Sequence, residues 1–196
     1  MLMYRLKSRL RQISADQYAY LHIGKTGGNQ IEHIFQSLSD EVNFTKYGHA
    51  TKLADVPTNK RYFFSIRKPQ DRFVSGFYSR KRQGKPKVNR PWTRNEELAF
   101  FRFPDSNDLA ESLFESGQTG ERAFEAMKSI HHINEMQSDW FRGEGVFESR
   151  PPFFIIRQEF LESDTARLLE KMGVRTDLSK HVSQNPVTAH KNDYTH

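Results

Sequence analysis

Lys25 stands where an apolar run meets two glycines, and Arg67 where a second apolar run meets a proline. The first junction lies in YLHIGKTGGNQIEHIF, residues 20–35, which sets Gly24, Lys25, Thr26, Gly27, Gly28 and Asn29 in succession. It shares Gly-Lys-Thr with the phosphate loop G-x-x-x-x-G-K-[ST], but Ala19 occupies that loop's first glycine position and the glycines follow the lysine. Glycines so placed let backbone N–H groups converge on an anion at a helix start, where the macrodipole favours negative charge by about 0.3–1 kcal/mol when exposed. Lys25 adds a mobile positive charge. The plainer reading of this loop alone is a glycine turn beside a solvated lysine.

The second junction lies in IRKPQDRFVSGFY, residues 66–78. Arg67 closes a strand, Pro69 opens a helix, and Ser75 follows about two turns along it. A guanidinium matches phosphate oxygens in pairs, and a serine hydroxyl adds a further donor. Taken singly, Arg67 pairing with Asp71 and Ser75 facing solvent is the ordinary outcome. Together the two junctions offer two anion grips, which suits a nucleotide charged at both ends.

The elements that must position these residues follow from hydrophobic period. Residues 18–23 form an aromatic and β-branched run that Gly24 stops, and Ile31, Ile34, Phe35 and Leu38 then recur at helical spacing. Residues 62–66 repeat the strand, and Phe73, Val74 and Phe77 the helix. Further helices are predicted over 107–116, with Leu109, Leu113 and Phe114 inward, and over 121–141, with Phe124, Met127, Ile130 and Trp140 inward. Residues 153–156, FFII, predict a buried strand, followed by a helix that Ser163 caps, that packs Leu168, Leu169 and Met172 inward, and that Gly173 ends. Strands alternating with helices predict right-handed crossovers and a P-loop-like, three-layer α/β domain with a central parallel sheet flanked by helices. Ligands of such sheets sit at the carboxyl ends of the strands, where both junctions fall.

Composition bounds the chemistry. The 196 residues contain no linker, so a single domain over 1–196 is expected. The absence of cysteine excludes disulfides, thiolate metal sites and thiol nucleophiles, and the eight histidines show no metal-ligand spacing. A net charge of +6 favours a polyanionic partner without choosing one. The segment 80–94, RKRQGKPKVNRPWTR, holds seven cations and no acid, and its prolines predict an irregular loop facing water or an anion. The basic N-terminus lacks the apolar core of a signal peptide, and no run reaches membrane-span length, so a soluble, cytoplasmic protein is expected.

The two junctions together resemble the sulfotransferases. HIGKTGGN at 22–29 is similar to their 5′-phosphosulfate loop and IRKPQDRFVSGFY at 66–78 to their 3′-phosphate motif. The pattern is nearest to the carbohydrate enzymes of heparan 2-O- and chondroitin type, including bacterial relatives. Weaker echoes run through YGHAT at 47–51, MQSDW at 136–140, IRQE at 156–159 and HVSQN at 181–185. The resemblance implies 3′-phosphoadenosine 5′-phosphosulfate (PAPS) as donor, 3′,5′-bisphosphoadenosine (PAP) as product, no metal, and a carbohydrate hydroxyl as acceptor. It implies that Lys25 stabilises the leaving phosphate, that the amides of Thr26, Gly27, Gly28 and Asn29 beside Gly24 wrap the 5′-phosphate, and that Arg67 and Ser75 hold the 3′-phosphate. His49 then takes the acceptor's proton. Read from the residues alone, Glu32 is either a reserve base or a solvated carboxylate, residues 80–94 are either a solvated loop or a glycan-binding segment in which Trp92 stacks on a sugar, and Gln137 is a polar residue able to touch either substrate. The chain departs from the pattern at Ser183, where the family often has asparagine, and stops at His196, so the expectation is either that the family's C-terminal helix is absent or that the domain is minimal.

Sulfuryl transfer, like phosphoryl transfer, depends on positioning and electrostatic stabilisation, which fixed cations and amides supply. A neutral imidazole can accept a proton at physiological pH. Two other functions compete: a P-loop kinase, against which stand Ala19, the late glycines and the want of an apolar strand ending in a magnesium carboxylate; and a non-catalytic binder of polyanions, resting on the net charge and residues 80–94. Nucleic acid is not the expected partner.

Overall fold

Tyr18–Leu21 (β1) alternates side chains across a sheet: Ala19 and Leu21 enter one apolar cluster, Tyr20 the other. This computed structural model describes residues 18–38, 42, 44–143, 145–174 and 176–178. The expectations for the N-terminal basic segment, for 181–185 and for a C-terminal helix lie outside those residues. β1 is two residues shorter than its apolar run, although the His22 amide still donates to the Tyr47 carbonyl.

Arg61–Ile66 (β3) pairs parallel with β1, setting Tyr62 and Phe64 on the Ala19 face and Phe63 on the Tyr20 face. Phe154–Arg157 (β4) pairs parallel with β3. Thr45–Tyr47 (β2), a strand the sequence reading does not include, pairs parallel with β1 and gives the order β2-β1-β3-β4. The fold is therefore α/β, with a four-stranded, all-parallel central sheet flanked by helices. As an edge strand β4 is less covered than the apolar run FFII predicts: only Ile156 is fully buried.

The chain divides into two units, Met1–Ile66 with Trp140–His196, and Arg67–Asp139. In the first, Gly28–Ser37 (α1) and Leu161–Lys171 (α7) cover the Tyr20 face, packing Ile31, Ile34, Phe35, Leu168 and Leu169 against Phe63 and Ile156. The opposite face is covered by Leu53, Val56 and Trp140. Gly173 ends α7 as its sequence predicts: it is left-handed at φ 83°, its amide bonds Glu170, and the next amide, Val174, reaches back to Leu169. Ser163 does not cap the helix. The 3-10 turn Gln158–Phe160 leads into α7 directly, and the Ser163 hydroxyl donates to the Phe160 carbonyl.

The second unit is built from Pro69–Lys81 (α2), Arg94–Arg102 (α3), Ser106–Ser112 (α4) and Gln118–Ser129 (α5) around Phe77, Phe100, Leu109, Ala123 and Ile130. Two helices are shorter than predicted and one turns a different face inward. Phe114 lies beyond α4 and is 92% exposed; α5 packs Ala123 and Ala126 inward and leaves Phe124 55% exposed. Residues 137–140 form a separate 3-10 turn rather than the end of α5. Val146–Ser149 (α6) is a single turn of the first unit.

Candidate functional site

In the first unit the parallel sheet sends every strand's carboxyl end to one edge, and β1 connects to β2 on one side and neighbours β3 on the other. The crevice outside the ends of β1 and β3 is where ligands of open parallel sheets bind. The loop 24–27 leaves β1 there. Lys25 is left-handed at φ 69°, a conformation that costs a non-glycine residue about 1–2 kcal/mol. Gly27 is also left-handed, at φ 87°, and Thr26 between them is not. Alternation of this kind turns successive N–H groups toward one concave side, the backbone arrangement of anion nests. Gly27 is the N-cap of α1, with neither a capping side chain nor an acid in the first turn to offset the helix's positive end.

Thr26 fixes the loop to the sheet. Its side chain is fully buried, donating to the Ile23 carbonyl at 2.8 Å and joining Ser65 Oγ at 2.8 Å, which in turn meets the Tyr20 hydroxyl at 3.0 Å. Burial raises the Tyr20 phenol well above its ordinary pKa, against the opposing effect of the Ser65 hydrogen bond, so the chain of hydroxyls stays neutral. Thr26 can therefore offer a ligand its amide but not its hydroxyl. Lys25 is half-buried and Asn29 exposed, while Gly24 and Gly28 are buried.

Gly28 must be a glycine because an imidazole lies over it. A Cβ built there would sit 1.9 Å from His22 Nε2 and 2.3 Å from its Cδ2. His22 is 5% exposed, and its Nδ1 lies 3.0 Å from Glu32 Oε1, a charge contact rather than a well-aligned hydrogen bond. The same oxygen is 2.7 Å from Lys46 Nζ. Glu32, the expected reserve base, is thus engaged by the His22 imidazole and the Lys46 ammonium. Gly27 is crowded in its turn: a Cβ there would lie 3.0 Å from Gln158 and from Leu161.

His49 follows β2 in an exposed turn. Its Nδ1 is 3.2 Å from the His22 carbonyl, and its ring centroid 4.2 Å from that of His22. A carbonyl oxygen only accepts, so Nδ1 carries the hydrogen and the neutral ring holds its lone pair at Nε2, the tautomer of a base acting through Nε2. The His49 carbonyl accepts from Trp140 Nε1 at 3.0 Å, and Lys52 lies 4.1 Å over the Trp140 ring. The structure thus brings His49 within one ring of Gly28. Apart from Glu32, none of the residues that make this connection, His22, Tyr20, Ser65 and Lys46, was marked by sequence reasoning, although His22 and Glu32 lie within the quoted stretch.

In the second unit Arg67 is half-buried and directly follows β3 in the chain. Its amide donates to Gln137 Oε1 at 2.9 Å and its carbonyl accepts from Gln137 Nε2 at 2.7 Å. Gln137 is thereby a clamp on the Arg67 backbone, which corrects its expected role as a substrate contact. Ser75 lies half-buried on α2, and the neighbouring Gly76 admits Ile133, whose Cγ2 would be 2.6 Å from a Cβ.

Residues 82–93 hold no helix or strand and are largely exposed, as the prolines predict, and the segment is anchored at Arg80. Arg80 is buried and binds Glu96 through two parallel hydrogen bonds, Nε to Oε1 at 2.7 Å and Nη2 to Oε2 at 2.6 Å. It also donates to the Arg90 carbonyl at 3.2 Å. Burial by itself would raise the Glu96 carboxyl, but the Arg80 hydrogen bonds and the amides of Thr93 and His131 outweigh it and hold the pKa at about 2. Trp92 donates to the Arg80 carbonyl at 2.7 Å and packs on Phe100 with centroids 5.0 Å apart. Its ring belongs to the packing of this unit, which corrects the expected stacking on a sugar.

Among the described residues no helix is long and apolar enough to cross a membrane. Comparison with protein-family models, curated proteins and solved structures returns no match for this chain.

Proposed function

We propose that the chain is a sulfotransferase that moves a sulfuryl group from PAPS to an acceptor hydroxyl, a carbohydrate being the favoured class. The observation that carries the reading is the alliance, at the carboxyl edge of a parallel sheet, of the loop 24–29 with His49 as an Nδ1–H imidazole. The anion nest and helix start suit a 5′-phosphate, Lys25 adds the cation, and His49 adds the base. The resemblance assigns the 3′-phosphate to Arg67 and Ser75.

In the proposed step the acceptor oxygen attacks sulfur in line. The new O–S bond forms as the bond between sulfur and the 5′-phosphate oxygen breaks. The acceptor's proton passes to His49 Nε2, and the electron pair of the broken bond stays on the 5′-phosphate, where Lys25 and the loop amides stabilise the growing charge. The products are a sulfate ester and PAP.

The experiment is thermal denaturation with PAP at low ionic strength. At a hundredfold excess over its dissociation constant, PAP should stabilise by about 2.7 kcal/mol, a shift of roughly 5–10 °C for a chain of this size. Adenosine 5′-phosphate, which lacks the 3′ group, should lose most of that shift, as should PAP with Arg67→Ala. No shift with PAP overturns the proposal. Equal shifts with any polyanion would favour the non-catalytic binder, and magnesium-dependent stabilisation by ATP the kinase.

A further inference from the structure

We propose that His22 is a positioning residue that sets the proton-accepting His49 and the glycine loop in register with each other, an inference that rests on the sulfuryl-transfer reading of this site. Three contacts converge on it. Its ring fills the volume that a side chain at residue 28 would need, so its location sets where the first turn of α1, and hence the amides of that turn, can lie against β1. Its carbonyl receives the His49 Nδ1 hydrogen, which selects the tautomer with the lone pair at Nε2. Its ring also lies 4.2 Å from the His49 ring, limiting the tilt of that imidazole.

His22 is itself held from several sides. Tyr20 stacks against it at 5.4 Å, and Glu32 of α1 meets its Nδ1 at 3.0 Å. Two nitrogen and oxygen lone pairs at that distance would repel, so Nδ1 carries a hydrogen and the neutral ring turns its Nε2 toward Gly28. Lys46 of β2 meets the same carboxylate oxygen at 2.7 Å. The chain Lys46, Glu32, His22, His49 therefore links β2, α1, the residue after β1 and the turn after β2. His22 is not the base: it is 5% exposed and its Nε2 is pressed on the Gly28 backbone, where an acceptor hydroxyl has no approach.

The test replaces the carboxylate that holds His22 and watches His49 in the full chain by 15N–1H correlation of the imidazole nitrogens, with PAP affinity measured by calorimetry. Glu32→Leu should convert the single Nδ1–H signature of neutral His49 into the averaged signature of two tautomers. It should also weaken PAP binding about tenfold, the loss expected for one contact to a charged group. Glu32→Gln, whose carbonyl oxygen keeps a partial negative charge facing Nδ1–H in a side chain of the same shape, should restore the His49 signature. A carboxylate of purely structural value would lower the melting temperature without moving the His49 nitrogens. Unchanged His49 nitrogens in Glu32→Leu overturn the inference, whatever the nucleotide does; failure of the wild-type chain to bind PAP overturns the sulfuryl-transfer reading, while the His49 signals still decide the role of His22. Should Glu32→Leu fail to fold, Lys46→Met, at an exposed side chain, should move the same signals in the same direction by less, and unmoved signals there overturn it too.

Discussion

Gly28→Ala sets two physical effects against each other. Glycine in a helix is less favourable than alanine by up to about 1 kcal/mol, so propensity alone makes the substitution stabilising. The new methyl, however, would lie 1.9 Å from His22 Nε2 and 2.5 Å from its Cε1. Carbon contacts settle near 3.5–4.0 Å, so the ring must retreat by about 1.5 Å or more. Tyr20, Glu32 and the buried setting of His22 resist that retreat. Overpacking of this kind costs about 1–3 kcal/mol and exceeds the helix gain. Net of that gain the loss is up to about 2 kcal/mol, and the expected result is a melting temperature lower by up to roughly 8 °C, read by circular dichroism, at about 2–4 °C per kcal/mol for this chain length. The decisive comparison is made in a His22→Ala background, where the ring is gone and the same Gly28→Ala change should be neutral or stabilising. A coupling energy of at least about 1 kcal/mol between the two positions is required. If Gly28→Ala stabilises the chain that retains His22, the close approach is refuted, and with it the route by which His22 reaches the loop.

Acid should weaken the second unit through Glu96. Its folded pKa of about 2 lies below the ordinary carboxylate value of 4.5, so the unfolded state binds more protons; the contribution is complete above about 4.5 and is lost as pH falls toward about 2. Urea midpoints followed by Trp92 fluorescence in a Trp140→Phe chain should fall between pH 5 and pH 3, and a flat profile would refute the depressed carboxyl. Arg80→Met strands the Glu96 carboxylate, 2% exposed, and should cost about 3–5 kcal/mol by urea denaturation; a loss under 1 kcal/mol would mean the pair is not buried as described. Thr26→Val removes a hydroxyl that serves Ile23 and Ser65 and should cost about 1–3 kcal/mol, with weaker PAP binding because the loop loses its tie to β3. Lys25→Ala keeps a Cβ on the same left-handed backbone and so should leave the melting temperature of the free chain within about 1 °C, while abolishing transfer from labelled PAPS to a glycan panel; undiminished transfer would remove Lys25 from the proposed step.

Local chemistry made part of this protein legible without coordinates. The alternation of Ala19, Tyr20 and Leu21, the helical spacing of Ile31, Ile34 and Phe35, and the helix-ending Gly173 are properties of short segments, and each appears where its pattern predicts. The glycine loop at the end of a strand belongs to the same class. Packing decided the rest. The strand Thr45–Tyr47 is three residues long, only partly buried and at the sheet edge, so it has no period to read and exists because β1 offers it a partner. Phe124 fits an inward stripe by spacing, yet its helix packs Ala123 and Ala126 into the cluster of Phe77, Leu109 and Ile130, and Phe114 stays exposed because it lies past the end of its helix. Trp92 and Arg80 looked like parts of a cationic surface until Glu96, sixteen positions on, took the guanidinium. His49 illustrates the division best. Its residue type marked it as a possible base, but its tautomer rests on a carbonyl twenty-seven positions earlier and its anchorage on an indole ninety-one positions later. A chain's own order sets backbone preference and the reach of each side chain; which distant groups meet is chosen by the close packing of the folded interior.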